Sequence, residues 1–285
     1  MTVARGQPGR WDVEAPCPVG DVGTLLARLG GTVALGVDFP IGLPGEYARL
    51  HATEPDFPSF LRGLAERPDF LRVCGTLHDI GGGRPFYPVR GMKGMTRLSH
   101  ARALGLADAA GLSRACDRAT ALRPAGAPVF WTLGANQSGK AAISAWRDLL
   151  LPALAGPRPP ALWPFDGPFR SLLGRGRTVI AETYPAEALR QLGLRMAGSK
   201  RRQSDRAALA APIAAALRAV DASLTPALTS ALETGFGADT AGEDRFDSVL
   251  GLSCVLRVLA GQQTDRAPDD PAILRWEGWV LGQAA

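Results

Sequence analysis

The sequence predicts an α/β protein in which a mixed sheet is flanked by helices. Three observations carry that expectation. Short apolar runs of strand length alternate with longer segments of helical pattern. Two of the runs, 32–38 and 178–183, are almost continuously apolar and carry an acid near the end, the pattern of strands covered on both faces. The composition is that of a packed chain: 46% of the 285 residues are hydrophobic and 21% are charged, which argues against disorder.

Taken in order, residues 2–5 and 11–15 read as two short strands around a Gly-Gln-Pro-Gly turn, a hairpin signal. Asp21 suits the N-cap of a helix over 22–29. A strand follows over 32–38, ending in Asp38 and the segment Phe39-Pro40-Ile41-Gly42-Leu43-Pro44. Residues 45–125 are less regular. Helical stretches at 57–66 and 97–106 stand among Gly- and Pro-rich loops, and we read them as a helical and loop insertion within a single domain spanning 1–285. A strand is expected at 129–133 and an amphipathic helix at 140–154. The strand 178–183 ends at Glu182, and Pro185 fits the first turn of the next helix, where its missing N–H does no harm. Helices at 205–219 and 245–260 complete the pattern, and Trp276 and Trp279 are expected to cover a core edge.

Several function classes fall away at this stage. No two cysteines have C-x-x-C spacing and none has a histidine at ligand spacing, which argues against zinc-finger cages, and reduced, packed thiols are expected. No apolar run approaches the ~18–20 residues of a membrane span, and residues 1–10 contain no apolar stretch of signal-peptide length. A cytoplasmic protein without a membrane partner is the expectation. The net charge of +5 favours polyanions weakly and falls short of a dedicated binding patch.

The chemistry-bearing residues are carboxylates. Asp38 and Glu182 each stand at a strand's C-terminal end and are followed within a few residues by proline. In open α/β sheets the strand carboxyl ends line the crevice where ligands bind. With Asp244 and Asp247 at the start of a helix, they form an oxygen-rich set suited to Mg²⁺ or Mn²⁺. Each acid also has a plain structural role open to it: Asp38 in a turn, Glu182 in a salt bridge, Asp244 as a helix N-cap with Asp247 beside the positive end.

Three blocks, GVDFPIGLP (36–44), ETYPAE (182–187) and EDRFDSVLGLSC (243–254), resemble the signature blocks of a widespread family of unknown function, domain of unknown function 429, described as predicted ribonuclease-H-like nucleases. The resemblance covers about residues 30–260 in order. It implies a ribonuclease-H-like mixed sheet, acidic-site positions at Asp38, Glu182 and Asp247 with Asp244 as auxiliary, and a Mg²⁺ or Mn²⁺ site acting on nucleic acid or another phosphate ester. The basic segment holding Lys200, Arg201 and Arg202 sits where the family carries a Lys/Arg-rich stretch, and phosphate binding is the role expected of it. There is one departure. Such folds begin with a strand bearing the first metal-binding aspartate, followed by a hairpin, whereas this sequence starts at the hairpin. Either the true start lies further upstream, or this member lacks a central strand and a principal ligand; a missing strand would leave two exposed sheet edges, so an upstream in-frame segment encoding that strand is the expectation.

A second motif points elsewhere. Residues 134–141 nearly match G-x-x-x-x-G-K-[ST], the phosphate-cradling loop, but Ala141 replaces the hydroxyl residue that would hold Mg²⁺. Lys140 facing an anionic substrate is the milder reading. No G-x-S-x-G elbow accompanies His51, His78 or His100, so no Ser/His/Asp triad is built. The leading expectation is a metal-dependent nuclease or phosphodiesterase. The alternatives are a catalytically inactive relative that binds a nucleic acid or protein, and a P-loop-like nucleotide binder.

Overall fold

A computed structural model of the chain describes residues 1–121, 123–134 and 137–284. Leu122 in the insertion, Ala135 and Asn136 in the Gly-rich loop, and Ala285 lie outside the described residues. The strands are β1 (Ala4–Gln7), β2 (Arg10–Val13), β3 (Val33–Val37), β4 (Ala161–Leu162), β5 (Thr178–Glu182) and β6 (Ala222–Leu224). The helices are α1 (Leu25–Arg28), α2 (Gly45–His51), α3 (Phe57–Gly63), α4 (Arg97–Ala103), α5 (Ser138–Ala145), α6 (Leu151–Ala155), α7 (Phe169–Leu172), α8 (Pro185–Gln191), α9 (Gln203–Ala207), α10 (Ala210–Arg218), α11 (Pro226–Glu233) and α12 (Gly242–Leu259).

The fold is α/β, but the single mixed sheet expected from the sequence is divided. One sheet has the order β1-β2-β6 and the other β3-β5-β4. In the first, β1 pairs antiparallel with β2 as the predicted hairpin, and β2 pairs parallel with β6. In the second, β3 and β4 both run parallel to β5. Among the described residues no strand pairing joins the two.

Helix α12 is the wall shared by both sheets. Its Phe246, Val249, Leu250, Cys254 and Leu256 pack with Val13 and Ala222 of the first sheet. Its Val255 and Val258 pack with Val179 and Ala181 of the second. The helix can sit this close because position 36 is glycine. A Cβ there would lie 2.9 Å from Val255 Cγ2 and from Thr183 Cγ2, inside the contact distance of well-packed carbon atoms.

Other expectations need correction. The strand over 32–38 is not covered on both faces: residues 33–36 are only half-buried, because β3 is the edge of its sheet. The strand expected at 129–133 does not form. Trp131 N–H donates back to the Pro128 carbonyl in a turn, and a single bridge, Tyr87 to Trp131, is all the pairing there. The helix expected over 205–219 is two helices, α9 and α10, with a break at residues 208–209. α12 starts at Gly242 with Ala241 as N-cap, so Asp244 lies inside the first turn and does not cap it.

Elsewhere the local chemistry acts as the sequence suggests. Asp21 caps the turn Val22–Thr24 by accepting from Gly23 N–H, and α1 continues from it. Pro185 occupies the first turn of α8. Trp279 is buried and Trp276 packs on the edge of the largest core. Cys74, Cys116 and Cys254 are buried free thiols as expected, whereas Cys17, expected to be packed too, is exposed. No helix among the described residues is long and apolar enough to cross a membrane.

Candidate functional site

The gap between the sheets is a groove of about 1160 Å³. β1 forms one bank and β3 the other, and α12 contributes Asp244, Asp247, Ser248, Leu252, Val255 and Leu256. Both banks present unpaired backbone. Val33 N–H donates to the Arg177 carbonyl and the Val37 carbonyl accepts from Thr183. Alternate residues of a parallel ladder bond to the same neighbour, so Ala34 and Gly36 turn their N–H and C=O groups toward the groove. Trp11 and Val13 bond to the β6 side, which leaves Arg10 and Asp12 to pair with Gln7 and Arg5. Ala4 and Gly6 therefore face the groove from the other bank. These two open edges flank one cavity. The direction is also fixed, because the Met1 ammonium feels the charge of Asp244, which in turn acts on Asp38. The start of β1 therefore lies at the C-terminal end of β3.

Three of the four predicted acids meet at that end. Asp38, immediately after β3, keeps a face open to the groove. Its carboxyl is nonetheless pushed up to about 7. Crowding by the surrounding protein is the main cause, and Asp247 adds to it while Lys200 opposes; Glu182 and Asp244 contribute further like charge. Asp247 Oδ2 accepts from Lys200 Nζ at 2.5 Å, and the same ammonium lies 3.3 Å from Glu243 Oε1. Asp247 Oδ1 is buried without a hydrogen-bond partner. Burial raises the Asp247 carboxyl and Lys200 counters this. The Lys200 ammonium is held above its ordinary range: burial works against its charge, but Asp247 and Glu243 prevail.

Glu182 stands apart from this group chemically. It ends β5 and is buried, and both its oxygens are occupied. Arg114 Nη1 donates to Oε2 at 2.6 Å and Nη2 to Oε1 at 2.7 Å, while Ile41 N–H donates to Oε2 at 2.9 Å. Arg114 is itself fully buried. Burial works against its charge, but the flanking carboxylates, Asp117 first, hold the guanidinium protonated well above its usual range. It donates to both oxygens of Asp117 at 2.8 and 3.1 Å and to the Glu277 carbonyl at 3.4 Å. The Glu277 carboxylate accepts from Gly45 and Ala115 N–H. This two-pronged pair fixes the insertion and the C-terminal segment to the strand end.

The basic candidates separate likewise. Lys200 reaches the acidic end of the groove. Arg201 and Arg202 are exposed, and Arg202 pairs with Asp205 at 2.9 Å. Lys140 is exposed on α5, outside the groove, and of its Gly-rich loop residues 135 and 136 lie outside the described residues. No strand precedes that loop among the described residues, so the context of a phosphate-cradling loop is not met there.

Sequence reasoning did not find Arg114, Arg206, Glu243 or Glu277. Arg206 is buried and donates to the carbonyls of Lys200, Gly235 and Gly237, tying the Lys200 segment to the turn that precedes α12. For Glu243 a signal existed: it stands four residues before Asp247, on the same helical face. For the two arginines there was none, because nothing in an isolated loop arginine shows which buried carboxylate or carbonyl it will meet.

Among the described residues no group of three or more His, Cys, Asp or Glu side chains is arranged to hold a metal alone. Two carboxylates are nevertheless suited to it. The Asp38 carboxylate is destabilised by burial and then by like charge, and Asp247 offers an oxygen without a partner. Mg²⁺ is commonly held by one or two carboxylates, with waters and substrate phosphates completing its shell. Neither curated proteins nor solved structures give a match to this chain. The family model described as "Protein of unknown function (DUF429)" matches residues 1–273, and the chain belongs to that family.

Proposed function

We propose that this chain is a metal-dependent phosphodiesterase of nuclease-like type, built on a ribonuclease-H-like sheet whose central strand is absent from these 285 residues. The observation that carries the reading is the convergence of Asp38, Asp244, Asp247 and Lys200 at one end of a groove flanked by two open strand edges. That groove has the place and polarity a central strand would need: antiparallel to β1 and parallel to β3.

Asp38 and Asp247 Oδ1 would hold Mg²⁺ or Mn²⁺. When bound, the ion would polarise a phosphoryl oxygen and lower the pKa of a coordinated water. The chain's own residues supply the rest. Asp38, crowded by burial and by the like charge of Asp247, gains a compensating partner when a cation binds there. Lys200 compensates Asp247 and offers an ammonium to an incoming phosphate. In this reading Glu182 organises the site through Arg114 and Ile41 and is released as a ligand only if Arg114 withdraws. Arg206 fixes the Lys200 backbone and so the reach of its side chain.

Titration calorimetry with Mn²⁺ tests the metal site. Binding is expected for the native chain and should be lost in both Asp38→Asn and Asp247→Asn. Heat that is identical in all three proteins sinks the reading.

A second reading, a non-catalytic binding module, is favoured by one observation: Lys200 already neutralises Asp247, and Arg114 already satisfies Glu182. Hydrolysis of a chromogenic phosphodiester separates the two. Turnover that needs Mn²⁺ and disappears in Asp38→Asn supports the first, and its absence together with tight ligand binding supports the second.

A further inference from the structure

The chain carries 32 Lys and Arg against 27 Asp and Glu. The excess is not spread evenly. Residues 80–107 contain Arg84, Arg90, Lys93, Arg97 and Arg102 and no acid at all, so the rest of the chain holds 27 charges of each sign. All the net positive charge therefore belongs to one segment of the insertion.

That segment is also turned outward. Residues 89–94 and 96–98 are exposed. Three of the chain's exposed large apolar side chains stand among these cations: Val89, 56% exposed, with Met92 and Leu98 at 38% and 39%. Arg90, Lys93 and Arg97 appear in no salt bridge among the described residues. The Arg97 guanidinium carbon lies 5.9 Å from the centre of the Trp131 ring, and the residue stays exposed. Below the loop the support is hydrogen-bonded and packed. His100 Nε2 bonds to the Pro85 carbonyl at 2.7 Å, Tyr87 and Trp131 pack edge to face, and Thr132 Oγ1 donates to the Pro88 carbonyl at 2.6 Å.

We infer that this segment is a docking surface for the sugar–phosphate backbone of a nucleic acid. Unpaired cations without neighbouring acids in sequence provide the complementary charge. Met92, between Arg90 and Lys93 in a glycine-flanked loop, has the size and placement of an apolar wedge that enters a groove between two phosphate contacts. The inference rests on the phosphodiester reading for its sense, since it selects a polymeric substrate over a small ester. Its test involves neither Asp38 nor a metal.

Fluorescence anisotropy with a labelled 25-base-pair DNA duplex, in EDTA, provides that test across a salt series. Each phosphate contact should contribute about −0.9 to the slope of log K against log salt. The native chain and Arg218→Ala, which removes an exposed cation on α10, are expected to bind alike. The triple variant Arg90→Ala/Lys93→Ala/Arg97→Ala should bind at least about tenfold more weakly, with a slope shallower by about 2.7. The single exposed change Lys93→Glu should move in the same direction. Absence of binding by the native chain, or equal affinity and slope in the triple variant, overturns the inference. Binding to vesicles of phosphatidylcholine and phosphatidylglycerol without binding to the duplex also overturns it, in favour of a membrane surface. Loss in Arg218→Ala with the triple variant unaffected would locate the docking elsewhere on the surface and overturn it as well.

Discussion

Arg114 closes both oxygens of Glu182, at 2.6 and 2.7 Å, with both side chains almost wholly removed from water. The acid that the sequence presents as a ligand is the anchor of an ion pair that joins the insertion to strand β5. Removing one partner of such a pair leaves an uncompensated buried charge. Arg114→Ala is therefore expected to destabilise the fold by about 3–5 kcal/mol, read as the shift in a urea unfolding transition. Combining Glu182→Gln with Arg114→Met should recover much of that loss. A double variant no more stable than the single one would show that the pair is not the coupled unit described.

Asp38 gives the fold a distinctive pH dependence in the presence of a chelator. Its carboxyl is raised in the folded protein to about 7 from an ordinary value of 3.8, so between these values the folded state binds more protons than the unfolded one. Its contribution to stability is then largest below about pH 4 and falls as pH rises toward about 7, after which it is flat. Asp38→Asn should flatten this part of the profile and raise the melting temperature at pH 8 relative to the native chain. Parallel pH profiles for the two proteins would refute the assignment.

Gly42 in the segment Phe39–Pro44 has φ +145°, and a Cβ at that position would run into the Glu277 carbonyl oxygen. Gly42→Ala should destabilise the protein by roughly 1–3 kcal/mol or more, since backbone, not a flexible side chain, must yield. Gly9→Ala is the useful comparison: its φ of +87° is also positive, but a Cβ there meets nothing. The difference between the two, measured by thermal unfolding, isolates the collision from backbone strain.

The open banks of the groove predict a pattern in amide hydrogen exchange. Ala34 and Gly36 should exchange much faster than their neighbours Leu35 and Val37, and Ala4 and Gly6 faster than Arg5. Equal protection along β3 would mean that its outer edge is covered in solution.

Much of this was legible in the sequence because local chemistry decided it. The Pro-Gly turn made the hairpin, Asp21 made its cap, and the apolar runs ending in Asp38 and Glu182 made two neighbouring parallel strands. The break between the sheets was legible only as an expectation that two edges would be exposed. What failed was decided at long range. The apolar stretch 129–133 has strand composition, but Pro128 and the docking of α5 bend it into a turn. A salt bridge was among the roles open to Glu182, but its partner could not be read: Arg114 lies 68 residues away in sequence, in a region without regular pattern. The clustering of positive charge in residues 80–107 was visible in the sequence. Its significance emerged only when those residues proved to be exposed.

The shared helix α12 bears on how this molecule comes apart. Because strand pairing does not cross between the sheets among the described residues, the coupling between them runs through side chains, those of α12 foremost and those of α8 beside it. Cooperative units in proteins tend to follow contiguous bonded structure. The β1-β2-β6 half and the β3-β5-β4 half should therefore behave as two foldons with distinct opening free energies. A large-to-small change on the face of α12 that serves one half, such as Phe246→Ala, should lower the opening free energy of that half first.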